Sequence, residues 1–134
     1  MNIPNCIQYL LPNAQFGMTD ISDYSTIQWC DERQQPTLQE CEDIWSIVQF
    51  KASVPQSITP AQLRVWLIQN DIDLTSIDTI IDAIQDAKTK AIVRARWEYS
   101  LTIERNNILV ATIAADLSMT DEQVDNAFIE AALL

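Results

Sequence analysis

Apolar and polar residues alternate at two periods along this chain. In YSTIQWC, residues 24–30, Ile27 and Trp29 alternate with Thr26, Gln28 and Cys30. That is the two-residue period of a strand with two unlike faces. AQFGM, residues 14–18, is a second candidate strand, joined to the first through the Asp- and Ser-rich TDISD. Elsewhere the period is helical. Residues 3–11 put Ile7, Leu10 and Leu11 on one face, with Pro4 in the first turn and Pro12-Asn13 as the stop. Two strands alone are marginal, so they need a helix packed on one face or a strand from a partner. Thr37 and Glu40 form a capping box that opens such a helix. Leu38, Cys41, Ile44, Trp45 and Val48 then fall at helical spacing on one face.

KASVPQS, residues 51–57, breaks this pattern and is read as the boundary between two halves. Beyond it the capping device returns. Thr59 and Gln62 make a capping box with Pro60 at the first helical position, and Ile58 and Leu63 are placed as a hydrophobic staple. That helix presents Leu63, Trp66 and Leu67 and ends near Asn70-Asp71. Thr75 is the expected cap of the next, where Ile77, Ile80, Ile81 and Ile84 lie in i, i+3, i+4, i+7 order. Residues 87–105 read as the longest helix, with Asp86, Lys90, Arg94 and Glu98 as an i, i+4 ladder. Its apolar residues occupy two faces: Ile92, Ala95, Tyr99 and Ile103 on one, Val93, Trp97 and Leu101 on the other. Such a helix is expected at the centre of its bundle, or with one face turned to a partner. Asn106-Asn107 then interrupts. Val110, Ile113, Ala114 and Leu117 form the next stripe. Thr120 and Gln123 cap a last helix carrying Val124, Ala127, Phe128 and Ala131. The expected fold is α+β and mainly α: a small unit, 1–53, of helix, two-stranded hairpin and helix, followed by a bundle of about five helices, 54–134.

Composition sharpens this picture mostly by exclusion. One glycine in 134 residues argues against glycine-rich phosphate loops and against many tight hairpins. Nineteen acidic and eight basic residues give a net charge of −11. Phosphate backbones would be repelled, so no nucleic-acid partner is expected. No segment approaches the ~20 apolar residues of a membrane span, so no membrane partner is expected either. MNIPNCIQYLLPN lacks the basic start and long apolar run of a signal peptide. Synthesis in the cytoplasm and reduced thiols are the expectation.

Candidate chemistry is sparse. With no histidine in the chain, Ser-His-Asp, Cys-His and histidine-metal sites are excluded. Cys6, Cys30 and Cys41 match no metal spacing. Asp78, Asp82 and Asp86, at i, i+4, i+8, have the look of a hard-metal site, but a solvated helix face produces the same spacing. No enzyme, catalytic residue, metal or cofactor is expected. Of the four tryptophans, Trp45 and Trp66 sit in core stripes. Trp29, beside a charged turn, and Trp97, in the doubly apolar helix, have the better claim to an interface. The apolar C-terminus, FIEAALL, either docks into its own bundle or presents a partner-binding face.

Two segments resemble a known family. DYSTIQWCDERQQPTLQECEDIW, residues 23–45, resembles small proteins encoded in bacteriophage tail regions, the XkdW-like family and its relatives near tail-fibre genes. The shared pattern is carried by Trp29, Asp31, Pro36, Thr37, Glu40 and Trp45. RWEYSLTIERNNILVATIAADLSMTDEQVDNAF, residues 96–128, is similar to a helical segment of phage tail-module proteins through Trp97, Glu98, Tyr99, Arg105, Thr120, Asp121, Gln123, Asp125 and Phe128. Asn106-Asn107 stands where a serine or proline turn would, and Ser118 where a glycine would. The resemblance implies a tail protein made in the bacterial cytoplasm and kept in the virion tail. It would act as an adaptor on a tail-fibre or baseplate protein, within a homo- or hetero-oligomer. The alternatives are a tail-fibre assembly chaperone that leaves before maturation and an acidic inhibitor of a host DNA-binding enzyme. The residues expected to meet a partner are Tyr24, Ile27 and Trp29 on the strand edge, Trp97, Tyr99 and Phe128 in the helical half, and Leu133 and Leu134 at the end of the chain.

Overall fold

The structure, a computed structural model, describes all 134 residues. It is mainly helical, with eight α-helices and two very small antiparallel sheets. The chain divides into two compact units, Met1–Ser53 and Val54–Leu134, and the division falls inside the 51–57 stretch.

The first unit is built around α1, Ile3–Leu10. Asn2 caps it by accepting from the Asn5 backbone N–H at 3.1 Å, and Pro4 lies in its first turn. Ile3, Cys6 and Ile7 form its fully buried face. The paired strands β1, Phe16–Gly17, and β2, Gln28–Trp29, are much shorter than 14–18 and 24–30. Residues Tyr24–Thr26, expected as strand, make a 3-10 turn capped by Asp23. Side chain-to-backbone bonds explain the difference. Asp20 and Asp23 each accept from the backbone two residues on, and these local bonds compete with a ladder.

Thr37 caps α2, Leu38–Asp43, with both halves of the capping box in place. The helix expected from there is in fact two. It breaks at Ile44, and α3 runs Trp45–Ser53. Cys41 and Val48 are buried, whereas Leu38, expected on the same face, is exposed. Cys6, Cys41, Ile3 and Ile7 share one core, with Phe16, Tyr24, Ile27 and Trp29 packed against it.

The second unit holds five helices: α4 Pro60–Gln69, α5 Leu74–Asp82, α6 Ala87–Tyr99, α7 Ile108–Asp116 and α8 Asp121–Ala131. Thr59 and Thr120 cap α4 and α8 through complete capping boxes. Asp73, not Thr75, caps α5; its carboxylate accepts from the Thr75 N–H at 3.0 Å. α4 packs on α8, α5 on α6 and α7, and α6 on α7. Leu67, Ile77, Ile81, Val93 and Leu109 are almost wholly buried between them. Each such side chain contributes about 1.5–3 kcal/mol on transfer from water. No helix is long and apolar enough to cross a membrane.

The helix expected over 87–105 stops at Tyr99. Ser100 turns out to an extended conformation, and the chain forms β4, Ile103–Glu104, which pairs with β3, Ser57–Ile58. Ile103, placed by its spacing on a helix face, lies opposite Ile58, and both are buried. Nor is α6 central. It is covered along one stripe and open along the other.

Candidate protein-interaction surface

The open stripe begins with how α6 is anchored. Asp86 caps it, accepting from the Thr89 N–H at 2.7 Å, and the Thr89 side chain, then this backbone bond, hold the carboxyl below its usual range. Asp86 therefore serves as a cap and not as the first rung of a ladder. Inward, Val93 and Trp97 are buried. The Arg64 guanidinium lies 4.7 Å from the centre of the Trp97 ring and donates to the Trp97 carbonyl at 2.7 Å. At one flank Arg94 gathers carboxylates. It pairs with Asp78, with Asp82 at 3.1 Å and with Glu98 at 3.8 Å, while Lys90 reaches Asp82 at 3.4 Å. The bond from Lys90 lowers the Asp82 carboxyl. The aspartates with metal-like spacing are thus engaged by two cations and a helix cap.

The face opposite Val93 and Trp97 carries Lys88, Ala91, Ile92, Ala95 and Tyr99, at i, i+3, i+4, i+7 and i+11. All five are exposed, Tyr99 to 77%. Leu101, just past the helix end, is 89% exposed. A surface helix normally turns polar residues outward, so a second apolar stripe on the solvent side stands out. Bonding to the neighbouring Glu98 carboxylate raises the Tyr99 hydroxyl. Lys88 and Arg96 border the stripe near its two ends, and neither makes an ion pair.

The other residues expected at an interface fare differently. Trp97 and Phe128, expected to meet a partner, are instead buried in the bundle, Phe128 beneath Arg105. They offer a partner no surface. In the first unit, Tyr24, Ile27 and Trp29 are half-buried. The Tyr24 hydroxyl donates to the Pro36 carbonyl and accepts from Gln35. The Trp29 indole N–H donates to the Arg33 carbonyl at 2.8 Å, and its ring stacks on Phe16. These groups brace their own unit, and an edge two residues long offers little ladder to an added strand. Leu133 and Leu134 are exposed, as a surface role requires. Lys88, Ile92, Arg96 and Leu101 were not among the expected contact residues. The 88, 91, 92, 95, 99 spacing was readable, but nothing local showed which stripe the bundle would bury.

No family model, no curated protein and no solved structure matches this chain.

Proposed function

We propose that this chain is a protein-binding adaptor of a bacteriophage tail, retained in the virion on a tail-fibre or baseplate protein. The observation that carries the binding role is the outward stripe of α6, where Ile92, Tyr99 and Leu101 stand exposed beside a buried Trp97. Aromatic and aliphatic anchors of this kind supply most of the energy of protein interfaces. The phage setting comes from the resemblance of residues 23–45 and 96–128. Most residues of the second motif have structural duties: Trp97 and Phe128 are core, Thr120 and Gln123 cap, and Arg105 and Asp125 pair. The resemblance therefore speaks for a shared bundle, and α6 supplies the surface.

Mass spectrometry of purified virions, with copy number, tests the reading. The expected result is this chain at a fixed multiple of the fibre or baseplate protein, with loss of incorporation in an Ile92→Glu/Tyr99→Glu variant that keeps its helicity. Absence from virions, with co-purification beside the fibre from infected cells, replaces the connector with an assembly chaperone. Absence from both leaves the inhibitor of a host DNA-binding enzyme.

A further inference from the structure

We propose that the outer face of α6 takes an amphipathic helix of a partner protein that carries a carboxylate near each end of its apolar strip. The inference rests on the binding role assigned to α6 and not on the phage setting. Lys88 and Arg96 are eight residues apart, about 12 Å along a helix at 1.5 Å per residue. Between them lie Ala91, Ile92 and Ala95, and Tyr99 and Leu101 close the far end. In a chain of net charge −11, Arg33, Arg64, Lys90, Arg94 and Arg105 are all engaged by carboxylates, carbonyls or an aromatic ring. Lys88 and Arg96 make no such pair, and both border the outward apolar stripe of α6. Cations at the rim of an apolar strip fix register and speed encounter when the partner brings opposite charge. The small Ala91 and Ala95 let a helix approach closely over Ile92.

Charge selects among occupants. In an antiparallel pair of α6 helices centred on Ile92, Lys88 of one copy falls opposite Arg96 of the other. Each copy also brings its full negative charge, so a second copy fits poorly. Nucleic acid and anionic lipid spread negative charge well beyond the two cations and would meet the carboxylates of Asp78, Asp82 and Glu98 along the flank of α6. A helix with acids seven or eight residues apart satisfies both cations and covers the stripe.

Two synthetic helical peptides test this on the full chain. Both carry leucines at i, i+3, i+4 and i+7; one has glutamates flanking that strip eight residues apart, the other lysines. Labelled-peptide anisotropy is expected to show the glutamate peptide binding about tenfold or more tightly, with the advantage shrinking as salt rises. In a Lys88→Glu/Arg96→Glu variant, checked for unchanged far-UV dichroism, the preference is expected to reverse. Equal binding of the two peptides, or binding of neither, overturns the proposal. So does self-association in the ultracentrifuge that Tyr99→Glu abolishes, or capture by anionic vesicles without peptide discrimination. Virion content is a separate readout. A chain absent from virions that still discriminates the peptides loses the connector role alone.

Discussion

Arg105 Nε donates to Asp125 Oδ1 at 2.7 Å, joining the end of β4 to the middle of α8. The Asp125 side chain is only 5% exposed and that of Arg105 16%. The same guanidinium donates to the Asp121 carbonyl at 3.1 Å and lies 6.0 Å from the Phe128 ring centre. Removing one partner leaves the other charge in a poorly hydrated place. Arg105→Met is therefore expected to destabilise the second unit by about 3–5 kcal/mol. An Arg105→Met/Asp125→Leu double variant should recover most of that loss, since apolar replacements of similar volume often match a buried pair. Urea unfolding of the parent, these two variants and Asp125→Leu, analysed as a cycle, checks both values.

The two stripes of α6 should separate cleanly in stability measurements. Trp97 packs inward beneath Arg64, and Trp97→Ala is expected to cost about 3–5 kcal/mol. Ile92→Ser and Tyr99→Ser lie on the outer face and should each move stability by no more than about 0.5 kcal/mol. Thermal melts of the three variants decide the matter. A large loss at Tyr99 would make the outer stripe part of the fold and remove the basis for a docking surface.

Much of the architecture is legible in the sequence. Thr37-Glu40, Thr59-Gln62 and Thr120-Gln123 each read as a capping box, and each is one. A cap is a local bargain between residues three apart, so the sequence carries it whole. The end of α6 was not legible, because EYSLTIER has helical spacing and neither glycine nor proline. Only pairing of Ile103 with Ile58, 45 positions earlier in the numbering, turns the chain into a strand. The same limit explains Trp97. A sequence shows that a helix has two apolar stripes, but tertiary packing decides which of them meets solvent.

Helix ends in this nearly glycine-free chain are closed by other residues, and one of them invites improvement. Asp71 and Ser118 adopt left-handed conformations, φ 59° and 54°, after α4 and α7. At Ser118 the backbone forms a full Schellman closure. The Met119 N–H donates to the Ala114 carbonyl at 2.8 Å, and the Ser118 N–H to the Ala115 carbonyl at 3.2 Å. Serine meets a steric penalty there that glycine avoids, partly offset by the freedom glycine has when unfolded. Ser118→Gly is expected to raise stability by roughly 0.5–1 kcal/mol. A rise in the urea midpoint with an unchanged slope is the supporting result.

The three thiols should divide by burial. Cys30 is exposed, whereas Cys6 and Cys41 are buried in the core of the first unit. Burial raises both thiols, and with the nearby Cys6 it pushes Cys41 up to about 11. At pH 8, a thiol reagent should label one cysteine quickly and the other two only as the first unit opens. A raised thiol stabilises the fold fully below its unfolded value of about 8.5. Above that pH the unfolded chain loses its thiol protons while the native core keeps them. Stability of the first unit should therefore fall from about pH 9 and go on falling until the native thiol ionises. In Cys41→Val this alkaline decline should be shallower than in the parent, with the remainder due to Cys6. Denaturant midpoints for the first unit between pH 7 and 10 measure the difference, and a parallel decline in the two proteins would mean that Cys41 is not the group responsible.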